Sequence, residues 1–167
     1  FPSPEDAEPS GLLAIGGGLE PQRLILAYSQ GIFPWYSENQ PILWFSPDPR
    51  FVLFPNEFKM SRSLKKRIKK RDFTVTLDQD FSSVIEHCSK VPRPEQSGTW
   101  ITEDMIEGYK KLHQLGIAHS VEVYLNNELV GGLYGICLGN MYFGESMFAL
   151  VSDASKVGFS YLVKQLT

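Results

Sequence analysis

The chain has 167 residues, 43% hydrophobic and 21% charged, with a formal net charge of -3. That length holds one core of ordinary size, or one domain with a small appendage, and excludes two full domains. No uninterrupted apolar stretch approaches the roughly 18 to 20 residues that span a bilayer, so the composition reads as soluble and globular, with no membrane partner.

The chain opens on Phe1 rather than Met, and no basic, apolar and small-residue leader follows, which reads as a fragment without an export signal. Phe1 to Gly18 is a turn-rich entry. Pro21 to Gln30 reads as a short helix, with Pro21 in its first turn and Gly31 past its end. Between Phe33 and Pro55 lie seven of the twenty-one aromatics (Phe33, Trp35, Tyr36, Trp44, Phe45, Phe51, Phe54) and five prolines. Proline removes backbone donors, so no central strand is expected here; the rings form an irregular platform suited to core or to ligand.

Ser61 to Arg71 then carries seven of the sixteen basic residues, leaving nine basic against nineteen acidic residues elsewhere. Met60, Leu64 and Ile68 recur every four residues, which predicts a helix with a narrow apolar stripe, Ser61 as its cap, and basic side chains fanned outward. A concentrated cationic ridge on an acidic chain points to a polyanion such as RNA or DNA, although a solvated helix face has the same pattern.

Phe73 to Leu77 alternates as a strand, and Phe81, Val84, Ile85 and Cys88 form a helical stripe behind Asp80 as cap. Cys88 and Cys137 lie far apart and outside any cluster of metal-ligand type, so free cysteines, a reduced cytoplasmic setting and no metal site are expected. Lys90 to Gly98 reads as a loop. Thr102 caps a helix in which Met105, Tyr109 and Leu112 share a face and Gly116 closes the end.

Strands follow at Ser120 to Leu125, Leu129 to Leu138 and Met141 to Phe148, with turns at Asn126-Asn127-Glu128 and Gly139-Asn140. A last helix runs from about Asp153 to Leu166, capped by Ser152. The layout is α+β, and the final apolar strand expects a further strand along its edge.

Strict alternation sets Glu145 on one face with Met141, Phe143 and Met147, and a carboxylate there either finds an Arg or Lys or serves a site. Gly131, Gly132 and Gly135 leave a hollow in the preceding strand where a pocket fits. A two-residue turn at Gly139-Asn140 places Tyr134 opposite Glu145 and Ser146 opposite Leu133, so Leu133 and Met147 share a pocket only across a β-bulge.

Several segments together resemble one known family: Gly31-Ile32-Phe33-Pro34-Trp35, Trp44 through Arg50, Ser61-Arg62-Ser63, Gly98-Thr99-Trp100-Ile101-Thr102, His119-Ser120, Leu129 to Gly135, Gly144 to Phe148 and Ala154-Ser155-Lys156. In that order they are similar to the leucyl/phenylalanyl-tRNA–protein transferases. The resemblance implies a bacterial cytoplasmic enzyme that moves Leu or Phe, less readily Met, from leucyl-tRNA or phenylalanyl-tRNA to the N-terminal amine of proteins beginning with Arg or Lys. The product is marked for degradation, and no metal or bound organic cofactor takes part.

It also implies a small aromatic and proline-rich N-terminal domain, 1–50, and an acyl-CoA N-acyltransferase-like domain, 51–167, with a mainly antiparallel sheet flanked by helices. Trp35 and Trp100 would flank the aminoacyl-adenosine end, and Leu133, Phe143 and Met147 would shape the pocket for the Leu or Phe side chain. Glu145 would face the acceptor's cationic N-terminal residue or amine. Arg62, Lys65, Lys66, Arg67, Lys69, Lys70 and Arg71 would hold the tRNA phosphates. The family continues into a strand bearing Asp-Cys-Gln that has no match here, so the second domain is expected to lack its C-terminal part.

Two rivals remain, the nearer an enzyme of the same fold and the other a non-enzymatic module. An acyl-CoA acetyltransferase needs a phosphate-cradling glycine turn leading into a helix, which is missing from the sequence. A non-enzymatic RNA-binding module explains the ridge and the aromatics but not Glu145.

Overall fold

Proline at a helix start, glycine past its end and alternating apolar positions set most of the elements in a computed structural model that describes residues 1–91 and 99–167. In chain order these are β1 (Leu12–Ile15), α1 (Pro21–Ser29), β2 (Phe33–Pro34), β3 (Leu43–Phe45), α2 (Arg62–Lys69), β4 (Phe73–Leu77) and α3 (Phe81–Lys90). They continue with α4 (Glu103–Gln114), β5 (Ala118–Leu125), β6 (Glu128–Leu138), β7 (Met141–Ala149) and α5 (Ala154–Gln165). The loop expected over Lys90 to Gly98 lies, from Pro92 onward, outside the described residues, as does Gly98 of its motif.

Two compact units emerge, one of Phe1–Phe51 with Pro92–Leu115 and the other of Val52–Val91 with Gly116–Thr167. In the first, a three-stranded sheet has the order β1-β3-β2. The aromatic segment therefore does supply a central strand, contrary to the expectation from its prolines. Leu43-Trp44-Phe45 contains none and pairs on both sides, while Pro34 sits on the edge strand β2, where a missing donor is tolerated. Strand β1 falls within the entry read from sequence as turns only. Gly31 follows α1 with φ +75°, and Gly108 on α4 lets the Leu19 carbonyl and the Leu24 side chain of the same unit approach closely.

The second unit is an antiparallel meander, β4-β5-β6-β7, with a helix packed on each face. Cross-strand partners share a face, and residues alternate along a strand. Val121, Val123, Gly131 and Leu133 therefore lie beneath α5, where Val123 approaches Gly158 and Ala154 covers Gly131. Gly132, Tyr134 and Phe148 lie beneath α3, where Val84 approaches Gly132 and the Phe81 ring meets Tyr134 edge-on, centroids 5.7 Å apart. The α+β layout with a mainly antiparallel sheet flanked by helices is thus the one found.

Capping follows the sequence closely. Oxygens of Ser61, Asp80 and Thr102 accept the backbone N–H of Leu64, Ser83 and Met105, and each satisfies a donor that the first helical turn leaves open. The start of α5 differs: Asp153, not Ser152, occupies the cap position, in a left-handed conformation at φ +67° and without a side-chain cap bond. The β5–β6 turn is also shorter than expected. Asn126 and Asn127 both take positive φ, and Glu128 already pairs with Leu125.

Candidate functional site

In the first unit, Trp35 is held at the edge of the small sheet by its backbone N–H, which donates to the Leu43 carbonyl at 2.9 Å. Its ring stands edge-on to Phe45 at 5.6 Å and remains 45% exposed, so one face is open to a ligand. Trp44 is the opposite case, buried, with its indole N–H donating to the Gly16 carbonyl at 2.8 Å. Trp100 is half-buried. The Tyr36 and Thr102 hydroxyls are hydrogen-bonded at 3.0 Å, which ties the segment after Trp35 to the segment after Trp100. Tyr36 is a residue that sequence reasoning counted only as an aromatic; its burial raises the phenol's pKa and keeps it neutral.

In the second unit, β7 contains the β-bulge. Below it, Met141, Tyr142, Phe143 and Gly144 pair with Leu138, Cys137, Ile136 and Gly135, as a two-residue Gly139-Asn140 turn requires. Above it, Ser146 pairs with Tyr134 and Met147 with Leu133, so Glu145 is the extra residue. Two expectations are corrected. Tyr134 faces Ser146 rather than Glu145, and simple alternation does not run through β7. Leu133 and Met147 share a face, as the bulge alternative required, whereas Phe143, paired with Ile136, lies on the opposite face beneath α3.

The glycine hollow is also corrected. A Cβ at Gly131 would meet Ala154 at 2.6 Å, and one at Gly135 would meet the Phe143 carbonyl at 2.2 Å and the Tyr142 ring at 2.6 Å. These positions are filled by neighbouring atoms rather than left empty. The open glycine is instead Gly144, beside Glu145, where an added Cβ would meet nothing within 4 Å.

Tyr142 lies against this bulge with its hydroxyl buried and no hydrogen-bond partner among the described residues. Burial first, then the Glu145 and Asp78 carboxylates, pushes its pKa far above the usual phenol value. Met147, half-exposed and backed by the buried Leu133, beside a carboxylate suits a ligand that is apolar at one end and cationic at the other.

The fully buried carboxylate, however, is Glu122, at 0% exposure. It accepts from Thr76 Oγ1 at 2.6 Å, Ser120 Oγ at 2.5 Å, and the Gln79 and Asp80 backbone N–H groups at 3.3 Å each. Four donors, two hydroxyls from β4 and β5 and two backbone N–H groups just before α3, offset its burial penalty and mark it as structural. Its signal in the sequence is the alternation Ser120-Val121-Glu122-Val123, whose polar members face α3. Beside it, Asp78 accepts the Ser120 N–H at 2.8 Å and pairs with His119 Nδ1 at 2.7 Å.

On α2, Leu64 is buried and Arg62, Lys65, Lys66 and Lys69 are exposed, as are Lys70 and Arg71 just beyond it. Arg67 departs from the expected outward fan. Its guanidinium lies 4.1 Å over the Phe73 ring and pairs with Asp72, and that hydrogen bond holds the Asp72 carboxyl below its ordinary range. His87 stacks on Phe148 at 4.7 Å and bonds the Ser83 carbonyl through Nδ1. Among the described residues, no helix is long and apolar enough to cross a membrane, and no three His, Cys, Asp or Glu side chains are grouped to hold a metal ion.

Comparison with known sequences finds one family along nearly the whole chain. A sequence model of the leucyl/phenylalanyl-tRNA protein transferase family matches residues 52–167, and one of that family's N-terminal domain matches residues 17–48. A protein of Thermodesulfovibrio yellowstonii named leucyl/phenylalanyl-tRNA–protein transferase is 60% identical over 166 residues, 99% of this chain and 68% of that protein. Proteins of the same name from Maridesulfovibrio salexigens and Myxococcus xanthus are each 58% identical, over 99% and 95% of this chain and 70% and 68% of their own lengths. Identity at that level over both units means that the chain belongs to the leucyl/phenylalanyl-tRNA–protein transferase family of aminoacyltransferases.

Proposed function

We propose that this protein transfers Leu or Phe, and less readily Met, from aminoacyl-tRNA to the α-amine of proteins whose first residue is Arg or Lys, marking them for degradation. Such donors and acceptors place the reaction in the cytoplasm. The observation that carries the reading is the β7 bulge, which sets Leu133 against Met147 and releases Glu145 from the ladder beside the open Gly144.

The chemistry asks little of the protein. An aminoacyl-tRNA ester is already activated, and an α-amine with an ordinary pKa of roughly 7.7 to 8.0 is partly neutral near pH 7. The amine nitrogen bonds to the ester carbonyl carbon, the bond to the tRNA ribose oxygen breaks, and the amine's proton ends on that oxygen or on solvent. Holding the two groups in attack geometry supplies up to about 7 to 11 kcal/mol, so positioning is the main task.

Trp35 and Trp100 offer ring surfaces to the adenosine end, and Met147, with the buried Leu133 behind it, offers an apolar surface to the Leu or Phe side chain. Phe143 contributes from the α3 face, as packing behind the strand. Glu145 attracts the cationic acceptor. The exposed cations of α2 contact phosphates, which carry little sequence information and so suit an enzyme that accepts tRNAs of different identity. Separating Leu or Phe from Ile or Val by shape is worth only about 1 to 3 kcal/mol per methylene-scale difference, so selection is leaky.

The deciding experiment is transfer of labelled Leu from leucyl-tRNA to Arg-starting and Ala-starting peptides. Transfer to the first and not the second is expected. No transfer to either, with tRNA binding intact, would leave an RNA-binding module as the better reading.

A further inference from the structure

Between α2, β4 and α5 of the second unit lies a cavity of about 120 Å³ whose apolar interior the transferase reading leaves unused. Ligand sites that hold a whole small molecule run to about 300 to 1,000 Å³, so a cavity this size takes one fragment of a larger ligand. Ile68, Val75 and Val157 form its apolar wall. Phe73 completes the wall and is braced by the Arg67 guanidinium stacked 4.1 Å above its ring.

Charge at the rim is one-sided. Among the described residues Asp72 is the one carboxylate lining it and is engaged by Arg67, while Arg71 and Lys164 are exposed and have no ion-pair partner. Lys65, Lys66 and Lys69 on α2 and Lys70 just beyond it are further exposed cations near this end of the unit's sequence. Unpaired cations at the rim of an apolar slot are the combination that single-stranded nucleic acid requires, with phosphate on the rim and an unstacked base in the slot.

We propose that this cavity is a subsite for one unstacked nucleotide of the bound tRNA, with its base against Ile68, Val75 and Val157 and its phosphate on Arg71 and Lys164. The proposal rests on the reading of the chain as a tRNA-dependent transferase. It adds a second anchor for the RNA beyond the ring surfaces of Trp35 and Trp100, and predicts that the enzyme opens or captures an unpaired position in its substrate.

Two variants of the full-length protein test it. Ile68→Trp fills the slot without changing charge and should weaken tRNA binding about tenfold, within the range for a lost base contact, while the slope of log affinity against log salt stays as in the unmodified protein. Lys164→Glu, at an exposed position, should weaken binding and reduce that slope by about one. Because Ile68→Trp is half-buried and can disturb folding, AMP supplies an independent reading: it should raise the melting temperature more than inorganic phosphate does, and Lys164→Glu should lose part of that rise. Unchanged tRNA affinity in a folded Ile68→Trp protein, or an AMP effect that Lys164→Glu leaves intact, overturns the subsite. Failure of the unmodified protein to bind leucyl-tRNA at all overturns the transferase reading instead.

Discussion

Glu145 and Tyr142 stand at the same bulge and are expected to respond to substitution in opposite ways. Glu145→Gln keeps the shape and removes the charge, so transfer to Arg-starting peptides should fall about tenfold to a hundredfold, the worth of a hydrogen bond to a charged group, while tRNA binding is unchanged. Steady-state kinetics with a binding assay checks this; full activity with a lowered melting temperature would make Glu145 merely structural. Tyr142→Phe removes a buried hydroxyl that has no partner among the described residues, and should stabilise the fold by about 1 kcal/mol at neutral pH. The raised phenol pKa gives that effect a pH dependence. Its neutral form is favoured in the folded state, so this stability is fully present below the unfolded value of about 10 and is lost as pH rises above it. Denaturant unfolding should therefore show the advantage of Tyr142→Phe widening above pH 10; a constant gap would refute the assignment.

At the scale of elements, the β6–β7 hairpin depends on close backbone approach rather than on propensity. Gly135→Ala brings a Cβ to 2.2 Å from the Phe143 carbonyl, which must move, and the bulge with it. The expected loss is about 3 kcal/mol, at the upper end for overpacking, with transfer activity falling as well because Leu133, Met147 and Glu145 lose their register. Thermal denaturation beside the transfer assay tests both parts; a stable, active variant would mean that the hairpin relaxes without cost. Periodicity predicted the α3 stripe of Phe81, Val84, Ile85 and Cys88 and the three side-chain caps, because helix contacts are local and repeat every three to four residues. The bulge and the central position of Leu43–Phe45 were harder to read. Both depend on which strand pairs with which, and that choice is made by residues distant in sequence.

For the molecule as a whole, charge placement matters more than the net value of -3. Reversing Lys65, Lys66 and Lys69 to Glu should weaken tRNA binding and make its salt dependence shallower, because fewer counterions are released. Titrations at several salt concentrations measure both, and no change in either would remove α2 from RNA binding. The ordered motifs by themselves determined the family, and composition and periodicity determined the α+β layout, the exposed cations of α2 and the free cysteines. These are properties of residue type and local spacing, written into the chain before it folds. Only the tertiary structure decided that Glu145 is released by a bulge, that Phe143 turns away from Leu133 and Met147, and that Gly131 and Gly135 are filled. It also turned Arg67 back onto Phe73 and revealed Glu122 as the fully buried carboxylate. A one-residue shift of register moves side chains to the other face, and no local pattern encodes where the shift occurs.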